Sequence, residues 1–71
     1  MNNKINFKIG VVKDFDGYSG KIVTPDKIYY FFRSDIIESI EKDDIVKFQG
    51  KTENTFPQAY FVKKYIHRKT K

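Results

Sequence analysis

Residues Gly10 to Ile36 read GVVKDFDGYSGKIVTPDKIYYFFRSDI and set Phe15, Tyr30 and Phe32 among the cations Lys13, Lys21 and Arg33. Aromatic faces on which bases stack, with fixed positive charge along the phosphate path, are what a protein surface offers a single-stranded nucleic acid. Rings of this kind also build cores, so the chemistry turns on which of them point outward. Other chemistries lack the residues they need. There is no cysteine, and the one histidine, His67, stands in a basic chain end, so no nucleophile has a base to activate it. Asp14-Phe15-Asp16-Gly17 opens like a calcium loop, but the later ligands and the closing glutamate are missing. Asp43-Asp44 is explained by turn chemistry, and there is no glycine-rich phosphate loop. The expectation is a protein that is not an enzyme and requires no cofactor.

The elements that must position these rings belong to a small chain. At 71 residues there is room for one domain, and a chain of this length buries only about 60% of the surface its unfolded form exposes. Without cysteine, stability rests on packing, supplied here by seven Phe and five Tyr. The longest apolar stretches fall far short of the roughly 20 residues that span a bilayer, and MNNKINFK lacks the apolar block of a signal peptide. A cytoplasmic, soluble protein with no membrane partner is expected. The net charge of +5 favours polyanions in general. Its distribution is uneven: residues 1–33 hold six basic and three acidic side chains, 34–44 one basic and five acidic, and 45–71 seven basic and one acidic. The acidic block is expected on the side away from a nucleic acid.

Alternation of Ile5, Phe7 and Ile9, with a change of parity at Gly10 that brings Val12 to the same inward face, predicts one long bent first strand from Lys4 to Phe15. Asp16-Gly17-Tyr18-Ser19 is a turn, Gly20 to Val23 a second strand, Thr24-Pro25-Asp26-Lys27 another turn, and Ile28 to Phe32 a third strand. Ser34 is placed to cap one or two helical turns that carry Ile36, Ile37 and Ile40. A fourth strand is predicted from Ile45 to about Lys51, with Val46 and Phe48 on one face, and a fifth from Gln58 to Tyr65. Five short strands with a single helical turn after the third describe an all-β fold, a small closed barrel without exposed edges. Residues 1–66 form the expected domain and 67–71 a basic, flexible tail.

In this order the segments resemble the cold-shock domain, a five-stranded OB-fold barrel, over roughly Gly10 to Val62. The resemblance rests on Gly10-Val11-Val12-Lys13-Asp14-Phe15, Val23-Thr24-Pro25-Asp26, Tyr29-Tyr30-Phe31-Phe32-Arg33-Ser34-Asp35-Ile36, Asp43-Asp44-Ile45-Val46-Lys47-Phe48 and Phe56-Pro57-Gln58-Ala59-Tyr60-Phe61-Val62. The family's first nucleic-acid motif is shortened to Tyr18-Ser19-Gly20-Lys21-Ile22, Asp14 stands where the family has a stacking Trp, and Arg33 where it has another ring. What carries over is Lys13, Phe15, Tyr30, Phe32 and Arg33, with Lys21 and Tyr18 as local substitutes. Phe56 lies where the family makes loop contacts; it either stacks a further base or folds onto the barrel end. The resemblance implies single-stranded RNA or DNA binding with low sequence specificity, of the kind RNA chaperones use. With fewer rings, at roughly 1–3 kcal/mol per stacked base, binding is expected to be weaker and more electrostatic than is usual in the family.

Strand alternation links facing to function. If Tyr29 and Phe31 point inward, Tyr30 and Phe32 must point out, since successive side chains alternate. The opposite assignment buries Tyr30 and Phe32 and removes the platform; the facing of Phe15 is open because its strand bends. Lys63, Lys64, His67, Arg68, Lys69 and Lys71 either add phosphate contacts or form a solubilising end. The competing expectation is a small β-barrel that has lost nucleic-acid binding and serves as a protein-interaction module. Missing rings, Asp14 and the acidic segment favour it.

Overall fold

The computed structural model describes residues 7–52 and 56–65. The chain forms β1 (Phe7–Phe15), β2 (Ser19–Val23), β3 (Ile28–Phe32), a single 3-10 turn (Arg33–Asp35), β4 (Ile45–Lys51) and β5 (Gln58–Lys64). These strands close into an OB-fold-type barrel in the order β1-β2-β3-β5-β4, with β4 returning to β1. Residues 4–6 of the expected first strand, residues 53–55 of the expected loop and the tail from residue 67 lie outside the described residues. Among the described residues no helix is long and apolar enough to cross a membrane.

Alternation fills the barrel. Ile22, Tyr29, Phe31, Val46, Phe48, Ala59 and Val62 are enclosed, while Lys21, Tyr30, Phe32 and Lys47 face the other way. Tyr29 meets Phe48 edge-on with ring centroids 5.0 Å apart, a geometry that adds to simple burial. Closure between β3 and β5 is parallel and short, with one registered pair, Tyr30 opposite Gln58, and a hydrogen bond from the Tyr30 N–H to the Pro57 carbonyl at 3.1 Å.

The parity of β1 differs from the sequence expectation. Phe7, Ile9 and Val11 are exposed, and Gly10 and Val12 point inward. The reason is crowding at Gly10: a Cβ there would lie 2.6 Å from Ile22 Cγ2 and 2.7 Å from the Val23 carbonyl, so glycine is an inward residue rather than the site of a parity change. The irregularity falls three residues later, between Val12 and Asp14, where the pairing with β2 shifts by one. Lys13 occupies that bulge, and Phe15 turns back toward the core.

The helical segment is also shorter than its isoleucine spacing suggests. Asp35 closes the 3-10 turn by accepting the Phe32 N–H at 2.9 Å, so the turn begins at Arg33 and not after a Ser34 cap. Ile36 is already extended and bridges Val62 in parallel, and the Ile37 N–H donates to the Val62 carbonyl at 2.9 Å. Chain that would have continued as helix is recruited to satisfy β5. Ile40 plugs the core, whereas Ile37 stays exposed.

Candidate nucleic-acid interface

The end of β1, the start of β2 and the end of β3 meet at one cleft of about 420 Å³. Its position follows from register. Lys21 lies opposite Tyr30, Ser19 opposite Phe32 and Tyr30 opposite Gln58, so these side chains share the outer face. Gly20 lies between Phe15 and Phe31, and a Cβ on it would come within 2.7 Å of the Phe31 ring. The missing side chain lets Phe15 lean over Phe31, centroids 5.4 Å apart, and forms the inner wall of the cleft.

Tyr30 and Phe32 face outward at 39% and 44% exposure. Phe56 folds back so that its ring meets Tyr30 edge-on at 5.3 Å. Phe56 thus folds onto the barrel end, as one of the two expectations had it, while its ring stays partly exposed and lines the cleft. Phe15 is half-buried, packed against the core and lining the cleft. With the enclosed Phe31 behind them, the four partly exposed rings Phe15, Tyr30, Phe32 and Phe56 border one concavity open to solvent, as stacking of unpaired bases requires.

The charges are arranged differently from the rings. Lys21, a residue expected to hold phosphate, donates to Asp14 Oδ2 at 3.1 Å, and both partners are partly exposed. A pair of this kind adds little to stability, about 0–1 kcal/mol, but it occupies the ammonium. Asp16 holds the β1–β2 turn by accepting the Tyr18 N–H at 2.9 Å and the Ser19 N–H at 3.0 Å, and these bonds, Ser19 first, keep its carboxyl below the ordinary carboxylate value. Lys13 lies on a separate depression beside Lys42 and Asp43, and Arg33 on another beside Ile36 and Glu38. Tyr18 is 73% exposed on the turn tip, joined to Arg33 through the Arg33 N–H and the Tyr18 carbonyl at 2.7 Å. Of the eight residues singled out from sequence, the cleft gathers Phe15, Lys21, Tyr30, Phe32 and Phe56, and leaves Lys13, Tyr18 and Arg33 outside its lining.

Sequence reasoning did not single out Ser19, Gly20 or Gln58. Ser19 and Gly20 enter through strand pairing, which no single segment reveals. Gln58 sits beside Tyr30, with its amide donating to Asp35 Oδ2 at 3.2 Å. Asp35 thus stands close to the rings, whereas the acidic block was expected to face away; it is engaged by two donors that satisfy one of its oxygens. Farther along that block, Glu38 accepts the Lys64 N–H at 3.2 Å.

No protein-family model matches this chain, and no curated protein matches it.

Proposed function

We infer that the protein is a divergent cold-shock-type barrel that binds single-stranded RNA or DNA with low sequence specificity. The observation that supports this most is the convergence of Phe15, Tyr30, Phe32 and Phe56 on one open cleft. Stacking needs only π-faces and every base has one, so a cleft walled by rings favours contact without sequence preference. Binding would keep strands unpaired, a chaperone-like task suited to the cytoplasm. The protein acts by holding its ligand and needs neither cofactor nor catalytic group.

The test is titration of a fluorescein-labelled oligo-dT dodecamer, followed by anisotropy, at about 50 and 200 mM salt. Saturable binding that weakens on Tyr30→Ala and Phe32→Ala supports the assignment. No binding at the lower salt would overturn it.

One observation favours a second reading, a protein-interaction module. Ile45, Val11, Val23 and Ile28 are paired in sequence across β4, β1, β2 and β3, and all four are exposed. An aliphatic row across a sheet face suits a protein partner better than a nucleic acid.

A further inference from the structure

The stacking cleft has rings but little free charge. Lys21 is tied to Asp14, and the Asp16 and Asp35 carboxylates stand nearby. A single strand laid there must have its phosphates neutralised elsewhere, and strand pairing shows where. Tyr30 pairs with Gln58, Gln58 with Lys51, and along the same outer face of β4 and β5 come Tyr60 opposite Gln49 and then Lys63 opposite Lys47. Two of these lysines sit over rings: Lys51 Nζ is 5.6 Å from the Tyr60 centroid and Lys47 Nζ 4.9 Å from that of Phe7.

Lys47 and Lys63 face each other directly across the two strands, an arrangement of like charges that disfavours the sheet. Among the described residues neither ammonium meets a carboxylate. The backbone beside them is unusual too. Phe61 and Val62 together oppose Phe48 in a bulge, and Phe61 takes φ +56°, a conformation that suits glycine and costs a phenylalanine stability. The result is that Tyr60 and Phe61 both escape the core, with Phe61 56% exposed. Phe7, Phe61, Ile37, Lys47 and Lys63 line a second hollow of about 260 Å³ at the far end of the row.

We propose that a strand bound in the first cleft continues over the outer face of β4 and β5, where Lys51, Lys47 and Lys63 take its phosphates and Tyr60 and Phe61 stack further bases. This rests on the binding assigned to the first cleft and extends it to a longer track. Each phosphate neutralised on a single strand steepens the dependence of log K on log salt by about 0.7, so three lysines should add about 2 to the slope.

The experiment compares dT4, too short to cover both the first cleft and the whole lysine row, with dT12, measured across a salt series on the full chain. The slope should be steeper by about 2 for dT12, and Lys47→Gln with Lys51→Gln and Lys63→Gln together should remove that difference while leaving dT4 binding unchanged. Phe61→Gly removes the ring and relieves the positive φ, so it is expected to fold at least as well, yet to lower dT12 affinity about 5-fold or more with no effect on dT4. Equal slopes for the two lengths would overturn the track, and so would a dT12 slope left unchanged by the triple lysine substitution. If dT4 fails to bind while dT12 binding depends on the three lysines and ignores Phe32→Ala, the first cleft falls and the β4–β5 surface stands alone. If neither oligonucleotide binds, both fall.

Discussion

Phe31 and Phe32 are adjacent in the chain and opposite in consequence. Phe31 is fully enclosed, 5.4 Å from the Phe15 ring and pressed against the strand at Gly20. Cutting it to alanine removes a core ring at a cost of about 3–5 kcal/mol. A domain of about this size has a total stability of about 4–10 kcal/mol, so Phe31→Ala should unfold a large part of the population or shift its urea midpoint severely. Phe32 projects into the cleft at 44% exposure, and Phe32→Ala should cost the fold only about 1–2 kcal/mol. Its loss should instead appear in binding. A stacked base contributes about 1–3 kcal/mol, equivalent to about 5- to 150-fold in Kd. Urea denaturation followed by circular dichroism measures the first effect, and anisotropy of labelled oligo-dT at constant salt measures the second. A folded Phe32→Ala that binds as tightly as the unaltered protein would refute the placement of the bases. A well-folded Phe31→Ala would refute the alternation on which that placement stands.

Three further outcomes follow from the same geometry. Asp14→Asn releases Lys21 and removes a carboxylate from the cleft, so oligonucleotide affinity should rise and its salt dependence steepen by about 0.7, measured by the same titration. Gly20→Ala drives a methyl group against the Phe31 ring and the Asp14 carbonyl and should lower stability by about 1–3 kcal/mol in urea denaturation. Asp16 is held below its ordinary value of 3.8 by the Ser19 and Tyr18 N–H groups, so its ionised form favours the fold. Its contribution is fully present above about pH 4 and lost as pH falls through the lowered value; Asp16→Asn should flatten the acid limb of a stability–pH curve.

The barrel was legible because β2, β3 and β4 alternate cleanly, and Tyr29-Tyr30-Phe31-Phe32 needs only the period of two to divide its rings between core and cleft. β1 was harder. Gly10 reads as an irregularity in sequence, but its cause is the nearness of Ile22 and Val23 on another strand, a tertiary fact. The bulge at Lys13 carries no residue signal at all. Ile36, Ile37 and Ile40 have helical spacing, yet β5 needed a backbone partner and took Ile36 and Ile37 into extended pairing. In the cleft, the facing of Tyr30 and Phe32 was readable from alternation and that of Phe15 and Phe56 was not, and the Asp14–Lys21 pair joins residues seven apart that only the shifted β1–β2 register brings together. A phenylalanine in the glycine-like conformation of Phe61 is not foreseeable from a run such as AYFVKK.

The most direct measurement is a map of aromatic and amide NMR shifts during titration with an unlabelled oligo-dT. Base stacking predicts large upfield ring-current shifts concentrated on Tyr30, Phe32 and Phe56, with little change at Val11, Val23 and Ile28 on the aliphatic row. Shifts confined to that row, or spread evenly over exposed lysines with the three rings unmoved, would contradict a nucleobase platform on this barrel.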